Sequence, residues 1–180
     1  MNSMNEITKY DLKQTEENIF FIFGTSRSGS TLLQSMLSSH PEIIIPPETH
    51  YFYSRDVLMK KFKKTSDPEK FREQIIAFWY ENKTRINDLN LQRNEVMDLA
   101  KKLELHSPDE LFSLQLTMYR TEKGKAIAGE KTPRHILSAD QILDTYPNAK
   151  LISLFRDPRA AAYSEIKAEF GSPSVFVTTR

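Results

Sequence analysis

Small turn-formers, several hydroxyls and one arginine are concentrated in Gly24-Thr25-Ser26-Arg27-Ser28-Gly29-Ser30-Thr31, between an apolar run at residues 19–23 and a helical pattern at 31–39. This is the frame of a phosphate-binding loop: backbone N–H groups and the positive end of the helix dipole can cradle an anion. The frame departs from G-x-x-x-x-G-K-[ST] at one place, where Ser30 replaces the lysine and Arg27 is the nearby cation. That lysine normally reaches the β- and γ-phosphates of a Mg²⁺-bound triphosphate. Helix amides, hydroxyls and one arginine instead suit a shorter, less charged anion held without a metal. Arg156 also intervenes between the apolar run 151–155 and Asp157, so no carboxylate follows that strand directly to hold Mg²⁺, and ATP or GTP hydrolysis is disfavoured. By itself the loop is equally an ordinary strand–turn–helix corner that uses Ser and Gly for geometry.

A second pair of residues could also hold a phosphate. Arg156 follows a strand, Pro158 suits the first turn of a helix, and Ser164 falls on the next turn of that helix. A planar guanidinium and a hydroxyl can embrace one phosphate between them. The plainer alternative pairs Arg156 with a neighbouring carboxylate and leaves Ser164 incidental.

These side chains need elements to bring them together. Residues 19–23 are a short continuous apolar run, expected to be a strand buried on both faces and central in a parallel sheet. A helix over 31–39 ends at His40-Pro41. Residues 43–45 give a second short strand ended by Pro46-Pro47, which leaves Glu48 just beyond it. Residues 51–123 read as a helical insertion, with Asp67-Pro68 and Ser107-Pro108 as helix starts. A strand at 126–128 ends in Gly129-Glu130-Lys131, an amphipathic helix spans 136–146, and the last clearly buried strand covers 151–155. Strands alternating with helices predict an α/β fold, a three-layer parallel sheet of the P-loop nucleotide-binding type. Ligands of such sheets gather at the carboxyl ends of the strands, where Arg27, Glu48, Lys131 and Arg156 all stand.

Composition sets limits on partners. With 25 basic and 24 acidic residues the net charge is +1, so no global field recruits nucleic acid or an anionic membrane. The absence of cysteine excludes disulfides, thiolate metal sites and cysteine nucleophiles, and is compatible with a cytoplasmic setting. Residues 1–18 read as a polar N-terminal extension without the apolar core of a secretory signal, and no apolar run approaches the roughly 20 residues of a membrane span. Phe71, Phe78, Trp79 and Tyr80 are expected in a helical core. Lys60-Lys61 and Lys63-Lys64 are expected on a solvated helix face. His40 is expected to terminate a helix, and His106 and His135 lie in polar stretches without metal-ligand spacing.

Arg27-Ser28-Gly29-Ser30-Thr31, together with Phe155-Arg156-Asp157-Pro158-Arg159-Ala160-Ala161-Ala162-Tyr163-Ser164, resembles the two nucleotide-binding motifs of the sulfotransferase superfamily. There the first motif grips the 5′-phosphosulfate of 3′-phosphoadenosine-5′-phosphosulfate (PAPS), and the second gives an arginine and a serine to its 3′-phosphate. Pro46-Pro47-Glu48-Thr49-His50 and Gly129-Glu130-Lys131-Thr132-Pro133 are similar to two segments of the tyrosylprotein branch. The resemblance implies Glu48 as catalytic base, Lys131 and Arg27 as charge stabilisers, and Arg27, Ser28, Gly29, Ser30, Thr31, Arg156 and Ser164 as PAPS-binding residues. His50 is the competing base, because another branch uses histidine. The implied partners are a hydroxyl-bearing acceptor and PAPS, with no metal, no nucleic acid and no membrane span, and with room for a homodimer. The family normally continues well past the arginine–serine motif, so one expected domain over residues 1–180 lacks the family's C-terminal part. The alternatives are a degenerate P-loop nucleotide kinase or hydrolase, and a truncated, non-catalytic nucleotide-binding module.

Overall fold

The computed structural model describes residues 7–62, 67–82 and 84–168. Four strands, β1 (Phe20–Gly24), β2 (Ile43–Ile44), β3 (Ile127–Lys131) and β4 (Lys150–Leu154), form one sheet in the order β2-β3-β1-β4, with every neighbouring pair parallel. The α/β architecture expected from the sequence is therefore the observed one. Side chains alternate across the sheet. Phe21 and Phe23 enter a large core under helices on one face, whereas Phe20 and Ile22 pack with Ile45 and with Leu33 and Leu37 on the other. β1 is buried along its whole length because both of its edges are paired and both of its faces are covered.

Helices α1 (Lys9–Asn18) and α2 (Ser30–Ser38) flank β1 in the chain. α1 lies in the segment read as a polar extension. Thr8 and Asp11 cap it reciprocally, and Ile7, Leu12 and Thr15 are buried, so its few apolar side chains suffice once Thr15 Oγ1 meets Thr117 Oγ1 at 2.8 Å. Between β2 and β3 stand α3 (Tyr51–Phe62), α4 (Pro68–Glu81), α5 (Arg93–Lys102) and α6 (Pro108–Glu122). Asp67 caps α4 and Ser107 caps α6 with Glu110, as their Pro-containing starts predict. Trp79 is fully buried, and Tyr51 stacks on Phe112 with ring centroids 4.1 Å apart. Phe71 and Phe78 are half-buried against Phe62. Lys60 and Lys61 are exposed on α3, whereas Lys63 and Lys64 lie outside the described residues.

Besides shifts of one residue at the ends of β1 and α2, several elements differ from the sequence reading. β2 ends at Ile44, because the Gln34 side chain donates to the carbonyls of Ile45 and Pro46 where a ladder would continue. β3 runs on through Lys131, in register with Ile22, although Gly129 reads as a stop. A Cβ at Gly129 would strike the Phe20 ring, so glycine is present for close packing and not to end the strand. The helix expected at 136–146 divides into a 3-10 turn at Pro133–Ser138 and α7 (Ala139–Thr145), because buried His135 pins the turn toward the core while Leu137 stays exposed. β4 starts at Lys150 and is not buried on both faces: it is the edge strand of the described sheet, and Lys150 and Ser153 are exposed. α8 (Pro158–Ile166) follows it.

Candidate functional site

The turn after β1 is shaped by close approach. A Cβ on Gly24 would lie 2.5 Å from the Leu154 carbonyl oxygen and 3.1 Å from Ser28 Oγ. Arg27 takes the left-handed backbone region (φ 63°), as does Gly29 (φ 100°), which is the N-cap of α2. Gly29 has no side chain to cap the helix, so the first-turn amides at Ser30 and Thr31 are left for an external acceptor. Ser28 Oγ is buried with no hydrogen-bond partner, a polar atom that a bound anion would satisfy. These features fit the phosphosulfate end of PAPS.

Arg27, Arg156 and Ser164 come together, because β4 lies directly beside β1 with Leu154 opposite Gly24. Arg156 Nη1 donates to the Arg27 carbonyl at 2.8 Å, Arg27 Nε donates to Ser164 Oγ at 3.1 Å, and Ser26 Oγ donates to Glu165 Oε2 at 2.9 Å. Three contacts thus join the loop to α8 and the residues just before it. Asp157, the carboxylate next to Arg156, is occupied otherwise. It caps α8 and takes the Arg159 guanidinium at 2.7 Å, and these hydrogen bonds hold its pKa below the ordinary aspartate value.

On the other side of β1, Lys131 ends β3 with its side chain only 4% exposed, and its Nζ lies 2.5 Å from Glu48 Oε1. Glu48, 35% exposed, also meets His50 Nε2 through its second oxygen at 3.2 Å. His50 has a left-handed backbone (φ 53°), which turns the chain into α3 and its ring back toward Glu48. Both clusters occupy the carboxyl edge of the sheet, one between β1 and β4 and the other at the end of β3.

A family model described as the sulfotransferase family matches residues 20–177, which hold all of these side chains. The chain belongs to the sulfotransferase family. The nodulation protein NoeE of Sinorhizobium fredii is 27% identical over 158 residues, covering 87% of this chain and 33% of that protein. Protein-tyrosine sulfotransferase 1 of Homo sapiens is 28% identical over 148 residues, covering 82% of this chain and 34% of its own length. The Drosophila melanogaster protein-tyrosine sulfotransferase is 26% identical over 151 residues, 84% of this chain and 26% of that one. The chain spans about a third or less of the length of these curated relatives. The match gives no support to a nucleotide kinase or hydrolase. Among the described residues no helix is long and apolar enough to cross a membrane.

This member of the sulfotransferase family also contains a buried cluster that the sequence reading missed. Glu130 and His135 are wholly buried and paired at 2.8 Å through His135 Nδ1, so His135 is a core residue and not part of a polar stretch. Thr49 and Thr132, also buried, donate their hydroxyls to Glu130 Oε1 at 2.8 and 2.6 Å. Burial opposes the charge on Glu130, but His135, Thr132 and Thr49 together bring its pKa below the ordinary glutamate value. Had β3 been extended to Lys131, its period-2 alternation would have marked Glu130 as core-facing beside Ala128, and a buried carboxylate demands partners.

Proposed function

We propose that this chain binds PAPS and passes its sulfuryl group to a hydroxyl acceptor. The observation that carries the reading is the meeting of Arg27, Arg156 and Ser164 across β1 and β4, at the same sheet edge as the Glu48–Lys131 pair. PAPS, when bound, supplies an activated sulfuryl group on a phosphate leaving group. The amides and hydroxyls of Ser28, Gly29, Ser30 and Thr31, with Arg27, hold its 5′ end, and Arg156 and Ser164 hold its 3′-phosphate. Glu48 takes the proton of the acceptor hydroxyl. Lys131 and Arg27 offset the negative charge that arrives on the departing phosphate oxygen. One ammonium cannot fully serve both a carboxylate and a leaving phosphate, so in this reading the Glu48–Lys131 contact loosens as the ligands enter. His50, bonded to the far oxygen of Glu48, orients that carboxylate. A cysteine-free chain suits a reducing compartment, and a cytoplasmic reaction is part of the proposal.

Calorimetric titration with adenosine 3′,5′-bisphosphate tests the reading. The wild-type chain is expected to bind this nucleotide without Mg²⁺ and in preference to ATP. Arg156→Ala and Arg27→Ala are each expected to weaken binding by at least tenfold, since a hydrogen bond to a charged group contributes about 1.5–3 kcal/mol. Unchanged affinity in both variants would remove these residues from the nucleotide and the reading with them.

A further inference from the structure

Beneath the Glu48–Lys131 pair, Glu130 collects an unusual number of donors for one buried carboxylate. Its Oε1 accepts from the Thr49 amide at 3.3 Å, the Thr49 hydroxyl at 2.8 Å and the Thr132 hydroxyl at 2.6 Å, while Oε2 faces His135 Nδ1 at 2.8 Å. The network reaches further. The His50 amide donates to Thr132 Oγ1 at 3.3 Å and the Tyr51 amide to Thr49 Oγ1 at 3.3 Å. Three consecutive amides of the segment that follows Glu48 therefore end, directly or through one hydroxyl, on Glu130.

The chemistry of the cluster argues that more than packing is at stake. A buried ionic cluster is a poor way to gain stability, because apolar side chains of similar volume commonly serve as well or better. The cluster's location supplies a reason. Glu130 and Lys131 are adjacent on β3 with side chains on opposite faces, so the backbone that Glu130 holds on the core side sets the root of Lys131 on the other. Thr49 is likewise adjacent to Glu48. One carboxylate thereby fixes the roots of both members of the pair.

We propose that Glu130, held by His135, is a positioning residue of the transfer site: it moors residues 49–51 to β3 so that the Glu48 carboxylate and the Lys131 ammonium stand in register. The inference rests on the reading of Glu48 and Lys131 as the transfer pair. Thr49→Val removes one hydroxyl from the network at nearly constant shape, Thr49→Ser restores it, and Glu130→Gln removes the charge.

For Thr49→Val, kcat for PAPS-dependent transfer is expected to fall roughly 10- to 100-fold, the scale of a small misplacement of reacting groups. Affinity for adenosine 3′,5′-bisphosphate should stay within about twofold, and Thr49→Ser should recover most of the rate. Backbone amide exchange provides a second measurement that needs no turnover. In Thr49→Val and in Glu130→Gln the amides of His50 and Tyr51 should exchange at least about tenfold faster, while those of Phe21 and Ile22 in β1 keep their protection. Unaltered exchange at His50 and Tyr51, or loss of β1 protection in step with them, would overturn the mooring role. So would wild-type kcat in Thr49→Val. Failure of the wild-type chain to bind adenosine 3′,5′-bisphosphate would overturn the functional reading instead, and the exchange comparison then still decides the mooring by itself.

Discussion

The Glu48 carboxylate touches an ammonium with one oxygen and an imidazole with the other. Glu48 is half-exposed, as the base of the proposed transfer must be to meet an acceptor hydroxyl, whereas Lys131 lies almost fully inside the protein. Proton abstraction by a placed carboxylate is worth about 10²- to 10⁴-fold in rate. Glu48→Gln preserves shape and should lower kcat by that amount, with nucleotide affinity little changed. His50→Asn loses only an orienting contact and should cost about tenfold or less; steady-state kcat at saturating PAPS measures both. A larger loss in the His50 variant than in the Glu48 variant would make the imidazole the base.

At the scale of elements, the site depends on β3 continuing past its glycine. Gly129 admits the Phe20 ring, and this contact lets β3 approach β1 closely enough for Lys131 to pair with Ile22. Gly129→Ala forces a methyl group into that ring within a close-packed layer. Overpacking of this kind costs about 1–3 kcal/mol. For a chain of this size each kcal/mol lowers Tm by about 2–4 °C. The double variant Phe20→Leu, Gly129→Ala should destabilise by less than the sum of the two single changes, because the removed ring makes room for the methyl. Thermal unfolding followed by circular dichroism measures the four members of this cycle.

Across the whole molecule, the buried Glu130–His135 pair ties stability to pH. The folded-state pKa of Glu130 lies below its ordinary value of 4.5, so the folded protein holds this carboxylate charged more firmly than the unfolded chain does. Its contribution is therefore complete above about pH 4.5 and is lost as pH falls through the lower folded-state value. Glu110, which caps α6, and Asp11, which caps α1, are lowered as well and add to the same acid loss. Urea midpoints between about pH 3 and 7, a window set by ordinary carboxylate pKa values, should fall on the acid side for the wild-type chain. They should fall less steeply for Glu130→Gln, which has no proton to take up at that position.

The apolar run of β1, the glycine-containing turn after it and a helix that starts at Pro158, with Arg156 before it and Ser164 on it, were legible because each is a local pattern: a run of β-formers, a turn, a helix start. The helix starts at Asp67-Pro68 and Ser107-Pro108 were legible for the same reason. The continuation of β3 was not, because a glycine stops a strand by propensity and permits one when a neighbouring ring needs the space. Nor was the edge position of β4, since an apolar run carries no information about which strands lie beside it. Local sequence thus settles which residue types are available to hold an anion and roughly where each element begins. The joining of Glu130, Thr49, Thr132 and His135 into one cluster belongs to the assembled fold, because Thr49 and Glu130, 81 positions apart, become hydrogen-bonded neighbours only after β2, β3 and α3 have come together.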